Sequence, residues 1–340
     1  MLQSKPILVV ANPDDSYFVW QCHLYVESCL EAGFEAEQIH ILLYKPTWRE
    51  ANPKWDMLRE LYPTLNIFLY EDKGVQGYLS VYIPVLRPHI LWQHFNRFPE
   101  LKEKTIIYTD CDILWIKGLD ITKFFDDNTN YISEASSYLN HSYLRGKEKD
   151  VLHEKAEEFS QIDVVKHLCA IVGISEDVLI KNNNNTGGVQ YILKNIDAAF
   201  WKKVEEDVIA IRVYLLEVNR LYFKDENSGY QSWCSDLFAV LWNLWLRDQE
   251  TKVIPELNFA WSTDPIERLD TTTILHNAGI VSEIGNGYPA FYKGKYHHGS
   301  NPMEDPYLDV ILNNKESQKY CTWFYAKKLK ELSHKYNLVY

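Results

Sequence analysis

The sequence contains no apolar run of 18 residues, the length that a membrane-spanning helix requires. The apolar run near its start, Pro6 to Val10, is too short for the core of a secretory signal peptide. The six cysteines form no C-x-x-C pair, so the sequence predicts neither a zinc site nor a disulfide framework. These absences predict buried free thiols and a cytoplasmic location.

Internal repeats and Pro-, Gly- or Ser-rich linkers are also lacking, so no boundary between independent domains is evident. At roughly 150 residues per domain, 340 residues make two domains or one large one. Positive charge is in deficit, since 47 Asp and Glu against 35 Lys and Arg give a net charge of -12. This balance argues against a general binder of nucleic acids or anionic membranes. Apolar residues, by contrast, make up 46% of the chain and suffice for a large core.

Short apolar runs alternate with segments of helical periodicity over the first 120 residues. The strands predicted from these runs span residues 6–11, 39–44, 65–70 and 105–109, and the helices span 17–32 and 81–95. Further along, we predict strands at 188–193, 253–259 and 273–276, and helices at 148–168, 196–217, 228–246 and 321–334. The alternation predicts an α/β fold with a mainly parallel central sheet flanked by helices.

The strongest local motif is the acid pair Asp110 and Asp112, which directly follows the predicted strand 105–109 and is the only D-x-D in the sequence. In open α/β sheets, ligands bind at the carboxyl ends of strands. Two acids between apolar residues need a cation to compensate their charge. Mg²⁺ and Mn²⁺ prefer such oxygen ligands and also bind diphosphate oxygens. The pair therefore predicts a divalent metal site, with a solvated turn as the alternative.

Two further segments carry candidate groups for catalysis and phosphate binding. Asp236 stands among Trp, Leu and Phe residues. A carboxylate in such a setting can serve as a general base, or it can cap the helix that begins nearby. Lys293 and Lys295 flank Gly294 in a loop with tyrosines on either side. Such a loop can close over a diphosphate, and a solvated loop is the alternative.

The segment around Asp110 resembles the metal-binding motif of glycosyltransferases with the GT-A fold. Three collinear segments resemble glycogenin-like and bacterial galactosyltransferase-like enzymes of that superfamily: 82–91, 185–189 and 275–279. Two more, 17–21 and 233–239, resemble hydroxyproline arabinosyltransferase-like proteins. Together the matches span about residues 7–279. The sequence departs from the pattern at Cys111, in the middle of D-x-D, and by an extra glycine in Asn-Thr-Gly-Gly.

The resemblance implies a role for each matching residue. Asp110, Asp112 and His276 would bind Mn²⁺ or Mg²⁺. The residues expected to contact the nucleotide are Ala11, Asn12, Asp15, Arg87 and Asp110, together with Lys293 and Lys295 of the basic loop, which no resembling segment covers. The residues expected to contact the sugar or the acceptor are Asn185, Thr186, Gly187, Gly188 and Trp233. Asp236 stands in the place of a Glu in the arabinosyltransferase-like segment, and its apolar setting makes it the expected base.

We therefore expect a metal-dependent GT-A glycosyltransferase with a Rossmann-like sheet and C-terminal additions on the acceptor side. Residues 1–300 would form the catalytic domain, with a nucleotide-sugar-binding half (1–120) and an acceptor half (121–300), and residues 301–340 a helical extension. The expected donor is a UDP-linked hexose or arabinose. The expected acceptor is a hydroxyl of a glycan, a protein or a hydroxymethylated DNA base, and the arabinosyltransferase-like segments favour inversion.

Two other classes remain as alternatives. A nucleotidyltransferase shares the α/β sheet and the metal carboxylates, but the first strand is not followed by the Gly-rich basic loop that it needs. A non-catalytic sugar-binding or scaffold protein could have the same fold.

Overall fold

The computed structural model describes residues 5–79, 82–120, 122–124, 128–225, 228–278 and 281–336. The strands are β1 (Ile7–Pro13), β2 (Ile39–Lys45), β3 (Asn66–Glu71), β4 (Ile106–Tyr108), β5 (Ile113–Trp115), β6 (Asn130–Glu134), β7 (Gly187–Leu193), β8 (Thr251–Val253), β9 (Phe259–Trp261), β10 (Ile274–His276), β11 (Glu283–Ile284) and β12 (Tyr288–Pro289). The α-helices are α1 (Ser16–Glu31), α2 (Trp55–Leu61), α3 (Gln76–Leu79), α4 (Leu86–Arg97), α5 (Ser136–Leu139), α6 (His141–Gly146), α7 (Ala156–Phe159), α8 (Val164–Val172), α9 (Glu176–Lys181), α10 (Ala198–Tyr222), α11 (Ser235–Leu246), α12 (Tyr307–Asn313) and α13 (Cys321–Tyr336).

The chain divides into two compact units, each assembled from separate stretches of sequence. The Arg87 unit comprises residues 72–108 and 124–254, together with the residues before Ile7. The Asp112 unit comprises residues 7–71, 109–123 and 255 onward.

The Asp112 unit contains adjacent parallel strands in the order β3-β2-β1. Strand β1 is buried along most of its length, as expected of a parallel strand covered on both faces. Helix α1 follows it and begins at a cap, because the Asp15 carboxylate accepts the backbone N–H of Tyr17 at 2.8 Å. It ends just before Gly33, which has the left-handed φ of 95° that favours glycine. The predicted alternation of strand and helix is confirmed here.

A second, smaller sheet of the same unit has the order β5-β10-β9. Strand β10 runs antiparallel to β5 and parallel to β9. Leu114 and Leu275, from paired strands, belong to a core cluster that also contains Trp20 of α1 and Tyr325 of α13. The amphipathic C-terminal helix predicted at 321–334 is thus α13, and its apolar face lies in this core.

The Arg87 unit contains strands in the order β4-β7-β6-β8. Strands β4 and β6 both run antiparallel to β7, and β6 runs parallel to β8. Helices α10 and α11 bury Phe200, Trp201, Phe238 and Trp242 completely. The predicted α/β class is confirmed: strands β3, β2 and β1 of the Asp112 unit are parallel, and the strands of the Arg87 unit are mixed.

Two predicted elements were wrong. The helix expected at 148–168 is instead a series of short turns and helices followed by α8, because the segment is rich in charged residues and largely exposed. The strand expected at 253–259 is interrupted at Pro255, which has no backbone N–H to donate to a sheet. Strands β8 and β9 lie on either side of that interruption.

Two predicted helices begin later than expected. The helix predicted at 81–95 is α4, which starts at Leu86 after a 3₁₀ turn that contains Pro84. Pro88 lies in the first turn of α4, where its missing N–H costs no helical hydrogen bond. Val81 lies outside the described residues. The helix predicted at 228–246 is α11, which starts at Ser235 after another 3₁₀ turn.

All six cysteines are free thiols and five of them are buried, as predicted. Within the described ranges, no helix is both long enough and apolar enough to cross a membrane.

Candidate functional site

Strand pairing places the predicted metal ligands side by side in the Asp112 unit. Asp112 directly precedes β5, and Ile113 of β5 pairs with His276 at the end of β10. The backbone N–H of Asn277 also donates to the carbonyl oxygen of Asp112 at 3.0 Å. The antiparallel register thus brings the acid pair next to a histidine that is far away in the sequence.

Asp110, Asp112 and His276 each offer one ligand atom, and these atoms lie within 4.8 Å of one another. The Nε2 atom of His276 is 3.7 Å from Oδ2 of Asp110 and 3.4 Å from Oδ1 of Asp112. Asp112 and His276 are buried, whereas Asp110 is partly exposed. Elsewhere in the described part of the chain, no group of three or more Asp, Glu, His or Cys residues meets this spacing.

The three residues fit a hard divalent cation. Two carboxylate oxygens and one imidazole nitrogen are donors that Mn²⁺ and Mg²⁺ accept. The imidazole is held in place by aromatic contacts, since the indole of Trp261 stacks on it at 5.5 Å and Phe259 meets it edge-on at 5.1 Å. Nε2 therefore faces the two carboxylates in a fixed orientation.

Lys293 joins this cluster through an ion pair between its Nζ and Oδ2 of Asp112. Burial acts to raise the pKa of Asp112, but the charges of Lys293 and His276 outweigh it and hold the pKa well below its usual range. Asp112 is therefore ionised at neutral pH. A buried, permanently charged carboxylate is what a metal ligand requires.

Lys295 does not join the cluster. Its ammonium lies 2.6 Å from Oδ2 of Asp305, and the hydroxyl of Tyr296 donates to the same carboxylate at 3.0 Å. Of the two lysines predicted to contact a diphosphate, the structure brings Lys293 alone to the acid pair.

The residues expected to hold the nucleoside lie at the end of β1. Ala11 and Asn12 are buried, and the amide of Asn12 donates to Sγ of Cys22 at 3.5 Å. Asp15 caps α1. Its neighbour Asp14, which no sequence motif singled out, is fully buried.

Asp14 is the first residue after β1 and marks the carboxyl end of that strand. Its Oδ2 accepts the backbone N–H of Asn52 at 3.0 Å and lies 3.8 Å from Nη2 of Arg49. The signal in the sequence that could have identified Asp14 is its position directly after a buried parallel strand.

Asp236 belongs to a separate group in the Arg87 unit. Its Oδ1 accepts the hydroxyl of Tyr82 at 2.8 Å, and its Oδ2 accepts Nη1 of Arg87 at 3.1 Å. Burial and the charge of Asp236 raise the pKa of Tyr82 well above its usual value, so Tyr82 stays protonated and donates. The ring of Tyr82 meets Trp233 edge-on at 5.3 Å, and Trp233 is 60% exposed. Three predicted site residues, Arg87, Trp233 and Asp236, therefore lie together.

The predicted sugar-binding segment 185–188 is tied into the sheet of the Arg87 unit. The side chain of Asn185 donates to Oγ1 of Thr251 at 3.1 Å and accepts the backbone N–H of Val253 at 2.9 Å. Thr186 is buried. A Cβ added at Gly187 would overlap the carbonyl oxygen of Ser133, and one at Gly188 would also be too close to its neighbours. The segment thus has a structural role, and its contact with a sugar stays a prediction.

No protein-family model matches the chain, and no curated protein sequence matches it. Similar solved structures include the bifunctional glycosyltransferase WbbM, with 9% identity and a TM-score of 0.42 over 97% of this chain and 53% of that one. GlyE from Streptococcus pneumoniae has 12% identity and a TM-score of 0.38 over 80% of this chain and 55% of that one. Mouse xyloside xylosyltransferase 1 has 12% identity and a TM-score of 0.36 over 80% of this chain and 97% of that one. The chain spans about half the length of the WbbM and GlyE chains. All three of these proteins are glycosyltransferases.

Proposed function

We propose that the protein is a metal-dependent glycosyltransferase that moves a sugar from a nucleoside-diphosphate sugar to a hydroxyl group. The observation that carries the proposal is the convergence of Asp110, Asp112 and His276 in the Asp112 unit. Their donor atoms fit Mn²⁺ or Mg²⁺, which as a Lewis acid would stabilise the negative charge of a leaving diphosphate.

Lys293 supports a diphosphate ligand because it adds a cation to the same cluster. An ammonium group that contacts Asp112 can also donate hydrogen bonds to phosphate oxygens. For the nucleoside, taken to be uridine, we propose the end of β1, where Ala11, Asn12 and Asp15 lie. Asp14 and Arg49 add polar groups there.

Asp236 is the proposed base for the acceptor hydroxyl. Its carboxylate is held by two donors, Tyr82 and Arg87, which fix its orientation. A carboxylate that is held in this way can accept a proton from a hydroxyl group as it attacks, as an inverting transfer requires. Arg87, which is partly exposed, retains its proposed role in phosphate binding.

A binding screen tests the proposal. The melting temperature of the wild-type protein would be measured with UDP-, GDP-, CDP- and ADP-linked sugars, each with Mn²⁺ and with a chelator. We expect the UDP-sugars to raise the melting temperature only with Mn²⁺, because a ligand that binds the folded state stabilises it. If none of the nucleotide sugars shifts the melting temperature, the proposal is wrong.

A further inference from the structure

Arg212 of α10 is a buried cation without an acidic partner. Only 9% of it is exposed, and within the described ranges no carboxylate forms an ion pair with it. Its Nη1 donates to Oγ of Ser232 at 2.5 Å, and its buried Nε has no hydrogen-bond partner there. Buried charged groups in proteins are normally paired, because an uncompensated charge is costly to remove from water.

The neighbours of Arg212 compensate its charge only in part. Its guanidinium lies 5.0 Å from the ring centre of Tyr82 and 5.8 Å from that of Trp233. Such cation–π contacts are favourable, but they leave the Nε of Arg212 without a hydrogen-bond acceptor. The acid of this group, Asp236, is bonded to Arg87. Asp236 thus forms an ion pair with Arg87, whereas Arg212 forms none within the described ranges.

Trp233 supplies a second feature beside that cation. It is 60% exposed, although a tryptophan side chain is among the largest apolar surfaces that a protein can bury. A flat apolar ring suits the face of a sugar, and a guanidinium suits the two oxygens of a carboxylate or a phosphate.

We propose that Arg212 and Trp233 form a binding site for a sugar ring that carries an anionic group, a carboxylate or a phosphate. This inference rests on the proposed function for one point only, namely that the bound sugar is the acceptor. It adds the class of acceptor, which is an acidic sugar.

Calorimetry with three simple probes tests the site: glucuronic acid, glucose 6-phosphate and neutral glucose. We expect at least one of the two anionic sugars to bind the wild-type protein more tightly than glucose by about tenfold or more, since hydrogen bonds to charged groups are the stronger ones. The comparison between the two anionic probes identifies the group that is recognised. Arg212→Met should remove this preference for the anion.

Two variants complete the design. Arg220→Met changes an exposed arginine on the same helix and should leave all three affinities unchanged. Trp233→Ala changes an exposed residue, so it should fold even if Arg212→Met does not, and it should weaken binding of the anionic sugars. Equal binding of glucose and both anionic sugars by the wild-type protein, or unchanged binding by the folded variants, would overturn the proposal.

The probes contain no nucleotide and need no metal, so their binding is measured independently of the donor. If the wild-type protein binds no nucleotide sugar, the proposed function fails while this site stands. If Arg212→Met weakens binding of a UDP-sugar and leaves binding of the anionic sugars intact, Arg212 belongs to the donor and the inference fails.

Discussion

The ammonium group of Lys293 contacts the carboxylate of Asp112, which lies 181 residues earlier in the chain. The same carboxylate faces Nε2 of His276 at 3.4 Å. A buried acid thus has a positive charge beside it before any metal is bound. Because a divalent cation and an ammonium group repel each other, we expect Lys293 and the metal to compete for Asp112.

Replacing Lys293 should change the affinity for Mn²⁺ and the affinity for UDP in opposite directions. In Lys293→Met, Mn²⁺ should bind several-fold more tightly in the absence of nucleotide, because the competing charge is gone. UDP should bind about tenfold more weakly in the presence of Mn²⁺, because a donor to its phosphates is lost. Calorimetry measures both affinities, and Lys295→Met, at a lysine that pairs with Asp305, is the control. Weaker binding of Mn²⁺ by Lys293→Met would contradict this competition.

Substitution of any one of the proposed metal ligands should strongly weaken metal binding. Asp110→Asn, Asp112→Asn and His276→Gln should each weaken Mn²⁺ binding by more than the roughly 10–100-fold that follows the loss of an outer-shell partner. Manganese titration followed by electron paramagnetic resonance measures the affinity. Asp56→Asn, which changes an exposed acid paired with Arg59, is the control. Wild-type affinity in the Asp112 variant would remove the metal assignment.

Asp236→Asn should lower the rate of sugar transfer without changing the affinity for the donor. We expect the rate of sugar transfer to fall by about 10²- to 10⁴-fold, because general-base catalysis contributes that much. The affinity for the UDP-sugar should not change. Tyr82→Phe, which removes one hydrogen bond to Asp236 and leaves the carboxylate, should cause a smaller loss of rate. Transfer at the wild-type rate by Asp236→Asn would show that another group is the base.

Two histidines, the buried His23 and the partly exposed His40, predict how the stability of the protein depends on pH. Burial lowers the pKa of His40 to about 4, and it lowers the pKa of His23 to about 4 although Glu27 acts in the opposite direction. In the unfolded chain both take up a proton near pH 6.5. The unfolded state therefore binds more protons between pH 6.5 and 4, so the free energy of unfolding falls as the pH is lowered through this window.

Each of these histidines should contribute a slope of up to about 1.4 kcal/mol per pH unit. Urea unfolding at a series of pH values measures the slope, and His40→Gln should reduce it by about half of the histidine contribution. If the wild-type and His40→Gln proteins have the same pH dependence, His40 does not stay neutral in the folded state.

A pair of glycine substitutions tests the packing of segment 185–188. Gly187→Ala should lower the free energy of unfolding by about 1–3 kcal/mol, because its methyl group would overlap the carbonyl oxygen of Ser133. Gly146 has helical backbone angles and open space around it, so Gly146→Ala should be stabilising by up to about 1 kcal/mol. Chemical denaturation compares the two, and equal effects would contradict the close packing at Gly187.

Local patterns predicted the elements whose signals are local. The apolar run of β1, the cap at Asp15 and the terminating Gly33 are adjacent in sequence, so β1 and α1 could be predicted. The acid pair stood out for the same reason, since Asp110 and Asp112 follow a buried strand. The proximity of Asp112 and His276 could be predicted only through the family resemblance, because it depends on the register of β5 and β10.

The side-chain partners that the sequence did not predict are those of residues that lie far apart in the chain. Lys293 and Lys295 are chemically equivalent and two residues apart, and only the folded chain distinguishes their partners, Asp112 and Asp305. Likewise, the hydrogen bonds of Asn185 to β8 depend on strand pairing that no local pattern encodes.

Release of UDP from a UDP-sugar, followed for the wild-type protein with a chelator and then with added Mn²⁺, tests the central claim most directly. A glycosyltransferase that uses Asp110, Asp112 and His276 to hold the metal should release UDP only when Mn²⁺ is present, and Asp112→Asn should release none. Release of UDP at the same rate in the presence of chelator would contradict the account.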